Sequence, residues 1–132
     1  SIPKSFYHLE KLEYIYLHDN KLTGTLSENI GNFRKLKDLY LSRNLLTGTL
    51  PKNLSPNPSV LNDSRQFRHI LLSYNKFNGT LPMALDLRRL RWLDLSFNEF
   101  TGTIPANMLD TCDLLALIYL DHNRLTGTIP EG

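Results

Sequence analysis

The chain of 132 residues offers four histidines, one cysteine and scattered carboxylates and hydroxyls as its chemically able side chains. Their spacing argues against catalysis. His69 and Ser73 stand four residues apart, about 13 Å along an extended strand, against the roughly 3 Å that a nucleophile and its base require. Asp94 therefore completes no triad with them. The pairs His18–Asp19 and Asp121–His122 are metal ligands by type, but in the repeat described next they fall four rungs apart, about 19 Å, which no single ion bridges. Cys112 is alone, so neither a disulfide within the chain nor a multi-cysteine metal site is available. Each turn glycine occurs singly, so no phosphate-cradling loop forms. The expectation is a non-enzyme with no catalytic residues, no metal and no cofactor.

The elements that must position these residues come from a pattern recurring five times, L-x-x-L/I-x-L-x-x-N followed by x-L/F-T-G-T-L/I-P. Its anchors are Asn20, Asn44, Asn75, Asn98 and Asn123, spaced 24, 31, 23 and 25 residues apart, so one repeat carries an insertion of about seven. Eight, five and three residues before each anchor the chain is apolar, as in Leu36, Leu39 and Leu41. The last two alternate as a short half-buried strand does. The Asn amide falls where the chain leaves the strand, and is expected to satisfy backbone groups of its own and the next coil, making a structural ladder. Glycine four residues later (Gly24, Gly48, Gly79, Gly102, Gly127) implies a φ that glycine alone reaches easily. Proline then opens the return at Pro51, Pro82, Pro105 and Pro130, with Ser27 in its place in the first repeat. No coil can bury its apolar edge alone, so coils must stack and the ends must be capped. Neither end carries a cap, which predicts one domain over 1–132 that is an internal fragment of a longer solenoid, with an inserted loop around 55–66.

Residues six, four and two before each Asn face outward on the strands. They place Tyr14, Tyr16, Tyr40, His69, Leu71, Trp92, Asp94 and Tyr119 on one face, where exposed aromatic side chains suit partner binding. The competing reading is that these rings cover one another across strands. Just ahead of the strands, Arg34, Lys37, Arg65, Arg68, Arg88 and Arg91 form a basic ridge over the central three coils, which an anionic partner would neutralise or solvent would screen. Tyr74 and Phe97, directly before their Asn, are expected to pack at the edge.

The repeated motif resembles the plant-type leucine-rich repeat found in ectodomains of receptor-like kinases and receptor-like proteins, and the match runs through the whole chain. The threonine that follows the glycine in every repeat (Thr25, Thr49, Thr80, Thr103, Thr128) also looks like leucine-rich repeat proteins of algae such as diatoms. The resemblance implies an α/β leucine-rich repeat solenoid, right-handed and curved, with a parallel sheet on the concave face and about five repeats. It further implies an extracellular or cell-surface setting, the alternative being a membrane-associated or organellar complex. Family members often carry a buried free cysteine where Cys112 stands, and a small core residue is the reading adopted for it.

Composition limits the partners. Fifteen Lys and Arg against 13 Asp and Glu leave a net charge of +2, too small for a nucleic-acid module. No apolar run approaches the roughly 18 residues of a membrane span, so no direct membrane insertion is expected of this segment. Asn53, Asn62 and Asn78 head N-glycosylation sequons, with Asn62 the best placed. The expected function is recognition of a protein or peptide, with an anionic cell-wall glycan possible for the ridge. The alternative is a structural scaffold subunit in a larger assembly, and a third idea is ice binding through the threonine ladders.

Overall fold

The computed structural model describes residues 1–54, 67–82, 89–108 and 112–130. The inserted segment 55–66, with Asn62 and Arg65, lies outside the described residues, as does Arg88. Each coil contributes two short strands, and successive coils pair in parallel. The first strands are β1 (Tyr14–Tyr16), β3 (Asp38–Tyr40), β5 (His69–Leu71), β7 (Trp92–Asp94) and β9 (Leu117–Tyr119), which form one five-stranded sheet in that order. Their register aligns Tyr16 with Tyr40, Asp38 with His69, Leu71 with Asp94 and Asp94 with Tyr119. The architecture is the parallel-strand leucine-rich repeat solenoid expected from the motif.

A second parallel sheet was not expected. It runs through β2 (Thr23–Thr25), β4 (Leu45–Gly48), β6 (Lys76–Thr80), β8 (Glu99–Gly102) and β10 (Arg124–Leu125). Its strands lie in or just ahead of the Thr-Gly-Thr segment, Asn78-Gly79-Thr80 in the third coil, read from sequence as turn because of the glycine. The glycines do take positive φ, +81° at Gly48 and +76° at Gly79. Packing adds a second reason for them: a Cβ at Gly48 would come within 2.8 Å of Thr25 Cγ2, and one at Gly79 within 2.7 Å of Thr49 Cγ2. Glycine and threonine thus interlock from one coil to the next, and the threonine ladder has a packing role. Thr47 and Thr126 also turn their hydroxyls onto the carbonyls of Gly24 and Gly102.

Between the sheets runs one apolar core. Leu36, Leu41, Leu46, Leu72, Phe77, Leu95 and Phe100 are fully buried, and each such side chain contributes about 1.5–3 kcal/mol by leaving water. The opposite side is closed by short 3₁₀ turns at Lys4–His8, Glu28–Asn32, Lys52–Leu54 and Ala106–Met108. Ser27 explains its departure from proline there. Its Oγ accepts from the Asn29 amide, capping the turn, and its own N–H, which proline would lack, donates to the Tyr7 hydroxyl. Cys112 packs against the core with its Sγ 3.1 Å from the Met108 carbonyl oxygen.

The asparagines bind neighbouring coils in one direction. Asn75 is buried, donates to the carbonyls of Leu72 in its own coil and Leu41 in the coil before, and accepts from the Leu46 amide, also in the coil before. Asn44, Asn98 and Asn123 repeat the pattern on Leu22, Phe77 and Phe100. The partners therefore lie on the preceding coil, where the next had been expected. Among the described residues the Asn20 side chain bonds only the carbonyls of Leu17 and His18 within its own coil, and its backbone N–H donates to the Arg43 carbonyl of the next.

Candidate functional site

The outward face of the β1–β9 sheet is a continuous band of rings. Tyr14 and Tyr16 lie 6.2 Å apart between centroids, Tyr16 and Tyr40 4.7 Å, Tyr40 and His69 6.2 Å, His69 and Trp92 6.5 Å, and Trp92 and Tyr119 6.3 Å. Strand pairing fixes this arrangement, because residues in register stand one rung apart, about 4.8 Å. Tyr14, Tyr16 and Tyr119 are exposed, and Tyr40, His69, Leu71, Trp92 and Asp94 are half-buried. The rings thus support one another and also present area to solvent. The two sequence readings of this face are compatible.

Polar contacts concentrate at its centre. Asp38 is only 7% exposed, although it sits on the outward face. Its Oδ2 accepts from the Tyr16 hydroxyl at 3.1 Å, and its Oδ1 lies 3.1 Å from His69 Nδ1. The latter contact is close but poorly aligned, so Oδ1 has no hydrogen bond of good geometry, and the Trp92 Nε1–H is likewise buried without a partner. Tyr40 Oη lies 3.2 Å from the same His69 nitrogen. Loss of water around the phenols of Tyr16 and Tyr40, then the Asp38 carboxylate beside them, raise both above the usual tyrosine range. Asp94 is differently occupied: its Oδ1 accepts from the Ser96 amide and hydroxyl at 3.0 and 2.6 Å, closing a local turn. Ser73 donates to Ser42 and approaches no histidine. Among the described residues no group of three or more His, Cys, Asp or Glu could hold a metal ion.

Along the ridge the charges are unequal. Lys37 Nζ lies 2.7 Å from Glu13 Oε2 and 5.7 Å from the Tyr14 ring centroid, so its charge is already paired. The hydrogen bond between them lowers the Glu13 carboxyl below 4.5 and raises the Lys37 ammonium above 10.5. Arg34 is half-buried. Arg68 and Arg91 are exposed and have no ion pair among the described residues. Of the sequon asparagines, Asn78 is exposed on β6; the Asn53 side chain lies outside the described residues.

Sequence reading missed a second ladder at the far end of the strands. The residue before each anchoring Asn has φ between 52° and 55° (Asp19, Arg43, Tyr74, Phe97, His122), a conformation that costs a non-glycine residue about 1 kcal/mol or more. Contacts between coils offset it. Arg43 approaches Asp19 at 3.8 Å and lies 4.8 Å from the Tyr74 ring centroid, Tyr74 stacks on Phe97 at 4.2 Å, and Phe97 on His122 at 3.9 Å. Reading that one column down the repeats was the signal. An open groove of about 650 Å³ on another flank, lined by Thr80, Thr103, Ile104, Ala106 and Thr128 among others, has no titratable side chain among the described residues.

The geometry describes a repeat solenoid whose varied side chains are gathered on one sheet. Two leucine-rich repeat family models match residues 2–46 and 89–110, just over half of the chain, and the chain belongs to the leucine-rich repeat family. Its repeats are of the plant type. The ectodomain of the Arabidopsis thaliana membrane receptor kinase GASSHO1/SCHENGEN3, solved with CASPARIAN STRIP INTEGRITY FACTOR 2, is 35% identical with a TM-score of 0.89, over 98% of this chain and 15% of that one. The plant peptide hormone receptor RGFR1, solved with RGF2, is 33% identical with a TM-score of 0.88, over 98% and 20%. The Arabidopsis thaliana BIR3–SERK2 complex gives 33% identity and a TM-score of 0.75, over 88% and 58%. The chain thus spans a fifth or less of the length of the first two. No curated protein matches it. Among the described residues, no helix is long and apolar enough to cross a membrane.

Proposed function

We propose that this segment is a non-enzymatic recognition module of a receptor-like or secreted leucine-rich repeat protein, working outside the cell or at its surface, and that it binds a peptide along the outward face of the β1–β9 sheet. The observation that carries this is the unbroken band of rings from Tyr14 to Tyr119 across all five strands. Rigid aromatic side chains give large contact area for little lost entropy. Support comes from relatives of the same repeat type, a peptide hormone receptor solved with RGF2 and the BIR3–SERK2 complex. Arg68 and Arg91, without an ion pair among the described residues, add a cationic margin to the same strands, suited to acidic groups of the partner.

The test is capture of bound peptides from the native source by the intact chain and by a W92A/Y40A variant of unchanged fold, with mass spectrometry. A peptide that exchanges freely from the wild type and is lost from the variant supports the proposal. Equal capture by both removes the ring band from recognition, and a fixed-stoichiometry protein complex favours the scaffold role.

A further inference from the structure

We propose that Asn78 carries an N-linked sugar chain, which stands on the second sheet and leaves the ring band of the first free for the peptide. The inference rests on the extracellular reading above and assigns a modification site within it.

The argument begins with what the repeat permits. Each anchoring asparagine is followed two residues later by an apolar residue (Leu22, Leu46, Phe77, Phe100, Leu125), so none of the five heads the Asn-x-Ser/Thr sequence that glycosyl transfer requires. Nor do the central anchors have room for a sugar. Asn44, Asn75 and Asn98 are buried, and their amides bind the backbone of two coils. The glycine segment is different. Its second threonine (Thr25, Thr49, Thr80, Thr103, Thr128) already supplies the hydroxyl, so asparagine in place of the first completes an acceptor. The third coil alone has it, as Asn78-Gly79-Thr80. Of the three sequons in the chain, this is the one that lies wholly within the described residues.

The fold gives Asn78 no other task. In the same column Thr47 and Thr126 send their hydroxyls to the carbonyls of Gly24 and Gly102 in the coil before. The Thr101 hydroxyl makes no such bond, and the Asn78 side chain has no hydrogen bond among the described residues. Threonine would serve this coil at least as well, so packing does not select the asparagine. Asn78 and Thr80 are both exposed, and Gly79 puts no side chain between them. A bulky, hydrated chain attached before folding therefore stays in water, and folding has none of it to bury. Thr80 also lines the groove of about 650 Å³, so the sugar stands at the edge of that groove, with the apolar core between it and the rings from Tyr14 to Tyr119. In the transfer the Asn78 amide nitrogen bonds to the anomeric carbon of a lipid-linked oligosaccharide diphosphate. The bond from that carbon to the diphosphate oxygen breaks, the lipid diphosphate leaves with the electron pair, and the nitrogen gives one proton to the transferase.

The experiment secretes the intact chain from a eukaryotic host and digests it with a peptide N-glycosidase in heavy-oxygen water. Mass spectrometry then reads each formerly glycosylated asparagine as an aspartate carrying heavy oxygen, and a mock digest corrects for spontaneous deamidation at Asn78-Gly79. Expected is the mark at Asn78 in most of the wild-type chain. It should be lost completely in Asn78→Thr, which restores the residue of the column, and in Thr80→Val, which keeps the methyl group facing Gly102 and removes the hydroxyl. Capture of native peptides should be the same for the wild type and both variants. An unmarked Asn78 in the secreted wild type or in native extracellular protein, or a mark kept at Asn78 in Thr80→Val, would overturn the proposal. Loss of peptide capture in a folded Asn78→Thr would overturn the placement of the sugar clear of the rings. The extracellular reading fails separately, when the native protein fractionates with the cell interior while the secreted chain is marked.

Discussion

The two sheets are built from the same coils and obey different rules. Down the second sheet, position after position repeats: threonine (Asn78 in the third coil), glycine, threonine, with leucine or phenylalanine turned inward. Down the first, the outward positions change at every rung, from Tyr14 to Asp38 to His69 to Trp92 to Leu117. The difference follows from contact. At Gly48 and Gly79 the backbone of one coil lies against the methyl group of the coil before, so any larger side chain meets a neighbour. On the first sheet the side chains point away from the stack and meet only one another. Where coils nest, one residue type is admitted; where they merely align, sequence is free to specify a partner.

The strongest attack on this contrast is at the nested side. Gly79→Ala forces alanine into φ +76° with its Cβ 2.7 Å from Thr49 Cγ2, and should lower unfolding free energy by about 3 kcal/mol in a urea titration. Adding Thr49→Ser removes the opposing methyl and should recover part of that loss. Full additivity of the two changes would mean that the interlock is not what excludes the side chain.

Asn75→Ala comes close behind. It strands the Leu46 amide in the core, while the Leu41 and Leu72 carbonyls keep the Asn44 and Asn98 amides as donors, for about 2 kcal/mol, and hydrogen exchange at the Leu46 amide should accelerate more than at Leu39.

Phe97→Gly sets two effects against each other. Glycine relieves the left-handed backbone by about 1 kcal/mol, while two ring stacks worth about 0.5–1.5 kcal/mol each are lost, so a net loss near 1 kcal/mol is expected by thermal unfolding. A stabilised variant would show the ladder to be idle.

The smallest effect belongs to the half-buried, solvent-reached pair Glu13–Lys37. With the carboxyl lowered in the folded chain, its contribution is present above 4.5 and fades as pH falls through the depressed value. With the ammonium raised, the reciprocal contribution is present below 10.5 and fades as pH climbs past the raised value. Lys37→Met should therefore flatten both limbs of a stability–pH curve slightly while leaving the neutral plateau almost unchanged, and a plateau shift exceeding that of Asn75→Ala would contradict a pair still reached by solvent.

The same contrast explains what was legible in the sequence. Leu36, Leu41 and Leu72 could be placed because burial selects residue type and the period repeats it, and the glycine column because backbone angle does the same. The outward residues could be assigned to a face by counting from each Asn. What counting could not give was how neighbouring side chains meet. The burial of Asp38 between Tyr16 and His69 depends on side-chain rotamers across three rungs. The column from Asp19 to His122 mixes acid, base and aromatic types, so nothing in any one residue announces a shared positive φ. The Thr-Gly-Thr strands were hidden because glycine ordinarily argues against strand, and here it is required by the neighbour's methyl group.

The asparagine bonds give the stack a direction in time. Each amide at Leu22, Leu46, Phe77 and Phe100 waits for an oxygen that belongs to a residue 21 to 29 positions later. A ribosome delivers the chain in that order. At every stage of synthesis the newest finished coil is therefore one acceptor short, and the arrival of the next asparagine latches the coil already made.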